Sequence, residues 1–311
     1  MFASVFQVLI VKPIFNLLVL IYALLPGHNF GLAIILFTVL IRFLMWPLVK
    51  KQLHQAKAMR EMQPEIKRIK AAAKGDRQKE SMMLMELYKE RQISPFGSIG
   101  VLILQLIILI GLYQGLHKVI VDPHALVANS YDTLRNLSWM KTLASDINKF
   151  DASLLGIVDL KRAALSKEGF YLPAMLLVIG SAVSQYFQSK QLMPDNKDSR
   201  KLRQILKEAS AGKQADSSEV NAAVGRTTRY FIPVMIFFFT VNIASALSLY
   251  WLVSGITAYW QQARILGQDE KEMEAIADKP DKKIIEGEVV QKKTTTNKKK
   301  KTNASKKRRK K

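Results

Sequence analysis

The sequence predicts an all-α integral membrane protein: a five-transmembrane-helix core with a cytoplasmic helical hairpin and an N-terminal interfacial helix. Three observations carry that prediction. The 311 residues are 49% hydrophobic yet bear a formal charge of +22, a combination foreign to soluble domains. The apolar residues are gathered into blocks long enough to cross a bilayer. The basic residues crowd into the loops and the tail instead of mixing with the apolar blocks.

The first strong block is Gly31–Leu48, whose single charge is Arg42. At about 1.5 Å per residue it extends roughly 27 Å, close to the ~30 Å hydrocarbon thickness. Residues 97–117 and Tyr171–Lys190 form two more. The uncharged run Tyr230–Ala263 would be about 50 Å long as one helix, too long for one crossing. Asn242, Ser245 and Ser248 mark a hairpin point that divides it into two short spans. Residues 1–25 are apolar but interrupted by Lys12-Pro13. A charge beside a helix breaker favours a helix lying in the outer interface, with a sixth span as the alternative.

The loops set the orientation. Residues 49–92 hold twelve Lys and Arg, 191–229 hold eight, and 118–170 hold seven against six acids. The positive-inside rule places the first two and the tail in the cytoplasm and 118–170 outside. The partition is therefore 1–29 for the N-terminal helix, 30–48 for the first span and 49–96 for the hairpin. The second span is 97–119, the extracytoplasmic segment 120–170, the third span 171–190 and the second cytoplasmic loop 191–229. The last spans are 230–246 and 247–264, and 265–311 is a disordered basic tail.

Within the hairpin, Met59, Met62, Ile66 and Ile69 recur at helical spacing. Gly75-Asp76 signals a turn, and Met82, Met85 and Tyr88 resume the period. Pro64 predicts a kink in the first arm. Met59, Met62, Met82, Met83 and Met85 are five of the twelve methionines. They fit packing between the arms, or an adaptable surface for varied apolar segments.

Catalysis finds no support. The histidines at 28, 54, 117 and 124 are not grouped at metal spacing, and the spans hold no Asp or Glu. With no cysteine, disulfides, thiolate zinc sites, thiol chemistry and a lipoprotein-type start are excluded. No presequence character is visible, so a bacterial inner membrane is expected. No cofactor is expected.

Arg42 is the one charge inside a span, a functional-site hypothesis that competes with snorkelling from about 9 Å below the cytoplasmic edge. Gln105, Gln185 and Thr257 lie about 8 to 12 Å from that edge on three other spans. Four polar side chains at one depth, beneath an apolar outer half, predict a hydrated cavity open inward and sealed outward. Scattered interhelical hydrogen bonds are the alternative. Residues 291–311 carry twelve Lys and Arg and no acid. Lys298, Lys299, Lys300 and Lys301, then Lys306, Lys307, Arg308, Arg309, Lys310 and Lys311, suit polyanion binding to ribosomal RNA or anionic lipid.

These motifs resemble a known family. GLAIILFTVLIRFLMWPL over 31–48 is similar to the first core helix of YidC-type membrane protein insertases, with Arg42 at their groove arginine. The stretch from Met59 to Ser98 resembles their cytoplasmic hairpin, LILQLIILIGLYQGL their second core helix, and ALSLYWLVSGITAYWQQ their last. The resemblance implies a five-helix core around a positively charged groove that passes nascent membrane segments into lipid. By position, Arg42, Gln105, Gln185 and Trp251, with Thr38 and Thr257, would line the groove, and the hairpin would receive substrate. It also implies ribosome binding through the tail, and the Sec translocon and the signal recognition particle receptor as further partners. The usual Pro-x-Gly before the last helix reads Ala244-Ser245-Ala246 here. A small anion channel or transporter using Arg42 is the competing reading; no repeats or mid-depth helix breaks favour it.

Overall fold

The computed structural model describes residues 2–91, 97–192, 207 and 217–277. The chain divides into a unit Met1–Asp269 and a second, Glu270–Lys311, of which residues up to Ala277 are described. The tail cations from Lys298 to Lys311 and most of the 191–229 loop lie outside the described residues.

Helix α1 (Phe2–Phe6) runs through a π-helical turn, Gln7–Val11, into α2 (Lys12–Leu24). Pro13 has no N–H, and its ring crowds the carbonyl four residues back; the wider turn relieves both effects. Lys12-Pro13 therefore bends no break into the helix. Ser4–Leu24 is long and apolar enough to cross a membrane by itself.

After a turn at residues 25–29, α3 (Phe30–Leu44) opens with Asn29 accepting from the Leu32 N–H at 3.0 Å. The expected single span to Leu48 is broken: α3 stops at Met45, and α4 (Trp46–Glu61) leaves at an angle of 57°. Pro47 stands in the first turn of α4, the position it tolerates in a helix and the reason α3 cannot run through.

The break at Met62, one residue before α5 (Gln63–Ala73), matches Pro64 near its start. Lys74 and Gly75 at positive φ form the turn, and Asp76 caps α6 (Arg77–Glu90). Met62, Ile66 and Leu87 join the arms, and Arg91 pairs with Glu65 at 2.6 Å.

Helix α7 (Gly97–Val121) contains a second stretch, Ile103–Val121, able to span alone. A cap connects it to α11. The cap holds three short helices, α8 (Ala125–Ala128), α9 (Asp132–Arg135) and α10 (Ser138–Ser145). Two antiparallel hairpins follow, β1 (Ser153–Leu154) with β2 (Val158–Asp159) and β3 (Leu165–Ser166) with β4 (Gly169–Phe170).

The last helices are α11 (Leu172–Leu192), α12 (Ser217–Thr240) and α13 (Ser245–Ala277). The chain reverses at residues 241–244, so the expected boundary at 246/247 falls inside α13. The apolar part of α12 is only Arg229–Thr240, about 18 Å of helix. Helices α11 and α13 are long enough to span, but Ser181, Ser184 and Gln188 on one and Ser254, Gln261 and Gln262 on the other lower their hydropathy. All six are buried.

The main core lies at the cap end. Phe15, Leu18, Val19 and Tyr22 of α2 pack with Phe30, Ile34 and Phe37 of α3, Leu112 and Leu116 of α7, and Leu247 of α13. Cap residues Leu126, Met140, Phe150 and Leu160 close it over. The cap also pins the α12–α13 turn. Leu165 N–H donates to the Val241 carbonyl, Ser245 N–H to that of Arg162, and Ser245 Oγ to that of Asp159, at 2.9 to 3.0 Å.

Outside this core, large apolar side chains are exposed in stripes. Leu36, Leu40 and Phe43 lie on α3, Leu176, Ile179 and Val183 on α11, and Phe231, Met235 and Phe238 on α12. A surface that apolar belongs against lipid or protein, not water.

Candidate functional site

Arg42 sits two residues before the end of α3 and is only 6% exposed. Its Nε and Nη2 donate to Ser254 Oγ on α13 at 3.0 and 2.5 Å. Carbonyls in the last turn of a helix lack intrahelical partners, and that of Arg42 accepts from Gln261 Nε2 at 2.7 Å. Ser254 and Gln261 are seven residues apart, on one face of α13. One face of α13 thus holds both the side chain and the main chain of Arg42.

Among the described residues no carboxylate pairs with Arg42. A guanidinium has five N–H donors, so one serine hydroxyl leaves it under-satisfied. Burying such a charge costs several kcal/mol unless water or an anion completes its shell.

The space for that shell is present. It is a narrow recess, with room for about one water molecule, lined by Thr38, Ile41, Arg42, Met45, Gln105, Ile108, Tyr250 and Ser254. On the cap side it ends against Ile34, Phe37, Leu112 and Leu247, all buried. On the other side Met45 packs with Val49, Leu53 and Ile265. A cationic, partly polar hollow therefore adjoins a dry apolar plug.

The structure brings Thr38, Arg42 and Gln105 to one recess. Gln185, Trp251 and Thr257 do not line it. Gln185 turns along its own helix toward Ser189 Oγ at 3.5 Å. Ser184 meets Gly255 of α13 instead, and Ser181 and Gln188, on the same face of α11 as Ser184, are buried. Trp251 stands edge-on to Phe239 of α12 at 5.8 Å. Thr257 is half-buried, three residues from Ser254 on α13. Equal expected depth on separate helices says nothing about azimuth, which separates Gln185 and Thr257 from Arg42; Trp251, implied by the resemblance, packs on α12 instead. Sequence reasoning missed Tyr250, Ser254 and Gln261. Their signal was polar spacing of four and seven residues on one helix face, within ALSLYWLVSGITAYWQQ.

The hairpin methionines divide between the two expected roles. Met62 is buried between the arms and Met83 is half-buried, whereas Met82 and Met85 are 62% and 65% exposed on α6. The Met59 side chain lies outside the described residues.

The pattern that matches known proteins runs across this whole framework: the model of the 60Kd inner membrane protein family matches residues 20–272. This chain belongs to the 60Kd inner membrane protein family, that of YidC. Its relatives include "Membrane protein insertase YidC" of Oleidesulfovibrio alaskensis, 26% identical over 81% of this chain and 37% of the relative. The protein of the same name from Syntrophobacter fumaroxidans is 28% identical over 76% of this chain and 34% of its own length. "Membrane protein insertase MisCA" of Bacillus subtilis is 28% identical over 84% of this chain and 79% of its own. The chain thus spans about a third of the first two family members and most of the third. These family members are named as insertases and not as enzymes, and among the described residues no three His, Cys, Asp or Glu side chains could hold a metal.

Proposed function

We propose that this protein is a membrane insertase that receives hydrophobic nascent segments from the cytoplasm in the recess around Arg42 and releases them into lipid. The observation that carries the reading is the under-satisfied, buried Arg42 beside an apolar plug. A polar or acidic flank of a substrate completes the guanidinium shell, while the plug stops ions and water from following. Meanwhile the substrate's apolar span faces the exposed stripes. The relatives' names support this reading.

The five core spans are the broken α3–α4 helix, α7, α11, α12 and α13. The cytoplasmic side is that of the α5–α6 hairpin, the 191–229 loop and the tail, and the cap is outside. The N-terminal helix lies in the outer interface, although its length would permit a crossing. Lys12 stands over the Tyr131 ring at 5.4 Å, Asn16 accepts from the Tyr131 N–H at 2.6 Å, and Tyr22 meets Phe150 edge-on. Those positions cover about 15 Å of helix, all against the cap. Gln7 bonds Gln114, only seven residues from the cap end of α7. A crossing helix would have left the cap after one turn.

Met82 and Met85 offer a repackable apolar surface on the hairpin for incoming segments. The basic tail binds ribosomal RNA, and the Sec translocon and the signal recognition particle receptor are partners of the same cytoplasmic face. Deleting residues 291–311 is expected to weaken ribosome binding and flatten its salt dependence, because up to twelve phosphate contacts are lost. Co-sedimentation across a salt series checks this; an unchanged slope contradicts it.

The test of function is reconstitution. Liposomes holding the purified protein should protect the translocated tail of a translated single-span substrate from protease, and empty liposomes should not. Equal protection in both would end the insertase reading.

A further inference from the structure

The cap carries two apolar patches that the insertase reading does not use. At the β1–β2 turn, Leu155 and Ile157 are 59% and 72% exposed. The turn is closed by Ile157 N–H donating to the Leu154 carbonyl at 3.0 Å, and both central residues have positive φ, +53° at Leu155 and +71° at Gly156. Asn or Gly would occupy the first of these positions at lower cost. A leucine held there against its backbone preference, with most of its surface bare, points to a partner for its side chain. The second hairpin turns at the charged Lys167-Glu168, and its apolar patch is at its base, where Leu165 and Phe170 are cross-strand partners, 43% and 58% exposed.

We propose that these two patches, the β1–β2 turn and the base of the β3–β4 hairpin, dip into the outer leaflet of the bilayer and anchor the cap to lipid. The proposal rests on the reading that α3 and α11 cross the membrane with their cap ends outside. Level and continuity favour lipid over a protein. The β1 strand lies on the first turn of α3, where Leu154 contacts Gly31, so the adjoining tip stands at the height where α3 enters the bilayer. Phe170 lies two residues before Leu172, the start of the exposed α11 stripe. Exposed Lys161, whose Nζ lies 5.7 Å from the Phe150 ring, is placed to meet headgroup phosphates while the apolar patches sit deeper. Two small patches on separate hairpins fall far short of the roughly 800 Å² per partner of a standard protein interface. Partition into a leaflet needs no such area.

The anchor has a mechanical consequence. The same segment of cap pins the α12–α13 turn, so lipid contact at the two patches holds that turn at a fixed depth.

The chain has no cysteine, so single-cysteine variants label cleanly. Ile157→Cys and Phe170→Cys in the full chain, labelled with bimane and reconstituted in phosphatidylcholine–phosphatidylglycerol vesicles, should be quenched by lipid with a nitroxide at acyl carbon 5. The quenching should be at least about threefold stronger than at Lys141→Cys on α10, with iodide giving the reverse order. Leu40→Cys, midway along α3, reports the underlying reading through a mid-chain nitroxide. If Leu40 is quenched and positions 157 and 170 behave as Lys141 does, the anchor is wrong and the spanning reading stands. If Leu40 is not quenched, both are wrong.

Discussion

Arg42→Ala is expected to lower insertion of substrates with acidic translocated tails roughly tenfold or more, and to leave those with neutral short tails nearly unchanged. A hydrogen bond to a charged group contributes about 1.5–3 kcal/mol, and 1.4 kcal/mol is a factor of ten. Arg42→Lys should keep much of the activity, because the recess needs positive charge more than the guanidinium fork. Folding should survive the alanine change, since it removes a buried charge that Ser254 alone satisfies poorly. Insertion rates for matched acidic and neutral tails decide the matter. Equal rates for Arg42→Ala and the unaltered protein would remove the electrostatic role.

Gly255→Ala is expected to destabilise the fold by about 1–3 kcal/mol, the usual cost of overpacking, and to impair insertion as well. A Cβ at this position would stand 2.3 Å from Ser184 Oγ, 2.9 Å from Ser184 Cβ and 3.4 Å from its carbonyl carbon. The hydroxyl can rotate away; the Cβ can move only by parting α11 from α13. Ser254, the next residue, holds Arg42, so any shift of α13 disturbs the recess. Adding Ser184→Gly should recover at least half of the lost stability, and the double-mutant cycle isolates the contact. Thermal unfolding in detergent reads the first effect and insertion the second. A single variant as stable as the unaltered protein would show that the two helices separate freely here.

Much of the fold was legible because membranes impose it. Helices are the simplest way to satisfy backbone groups in lipid, so apolar blocks translate directly into α3, α7, α11 and the α12–α13 pair. The turn at residues 241–244 was expected slightly late, because Ser245 and Ser248 look like turn residues. Ser245 instead donates to the Asp159 carbonyl and fastens the cap, a contact 86 residues away that no local pattern encodes. Pro47 was visible and its consequence was not drawn: a proline near the end of an apolar block divides it. The same holds in reverse for Lys12-Pro13, which reads as a break and is absorbed by a π turn.

At the candidate site the sequence marked Arg42 by its cost in a span, and depth brought in Gln105. Depth could not assign faces. Gln185 and Thr257 share the level of Arg42 but not its recess, whereas Ser254 and Gln261, on one face of α13, hold it.

The most direct test of the central claim is site-specific cross-linking of an arrested nascent chain with one cysteine in its polar translocated flank. The protein supplies a second cysteine, at Gln105→Cys in the recess or at Val183→Cys on the exposed face of α11. The account predicts a disulfide-linked product at Gln105 and little or none at Val183, with the Gln105 product diminished when Arg42→Ala is added. A product at Val183 and none at Gln105 would mean that polar segments travel along the outside of the helices, and the recess around Arg42 would not be the insertion site.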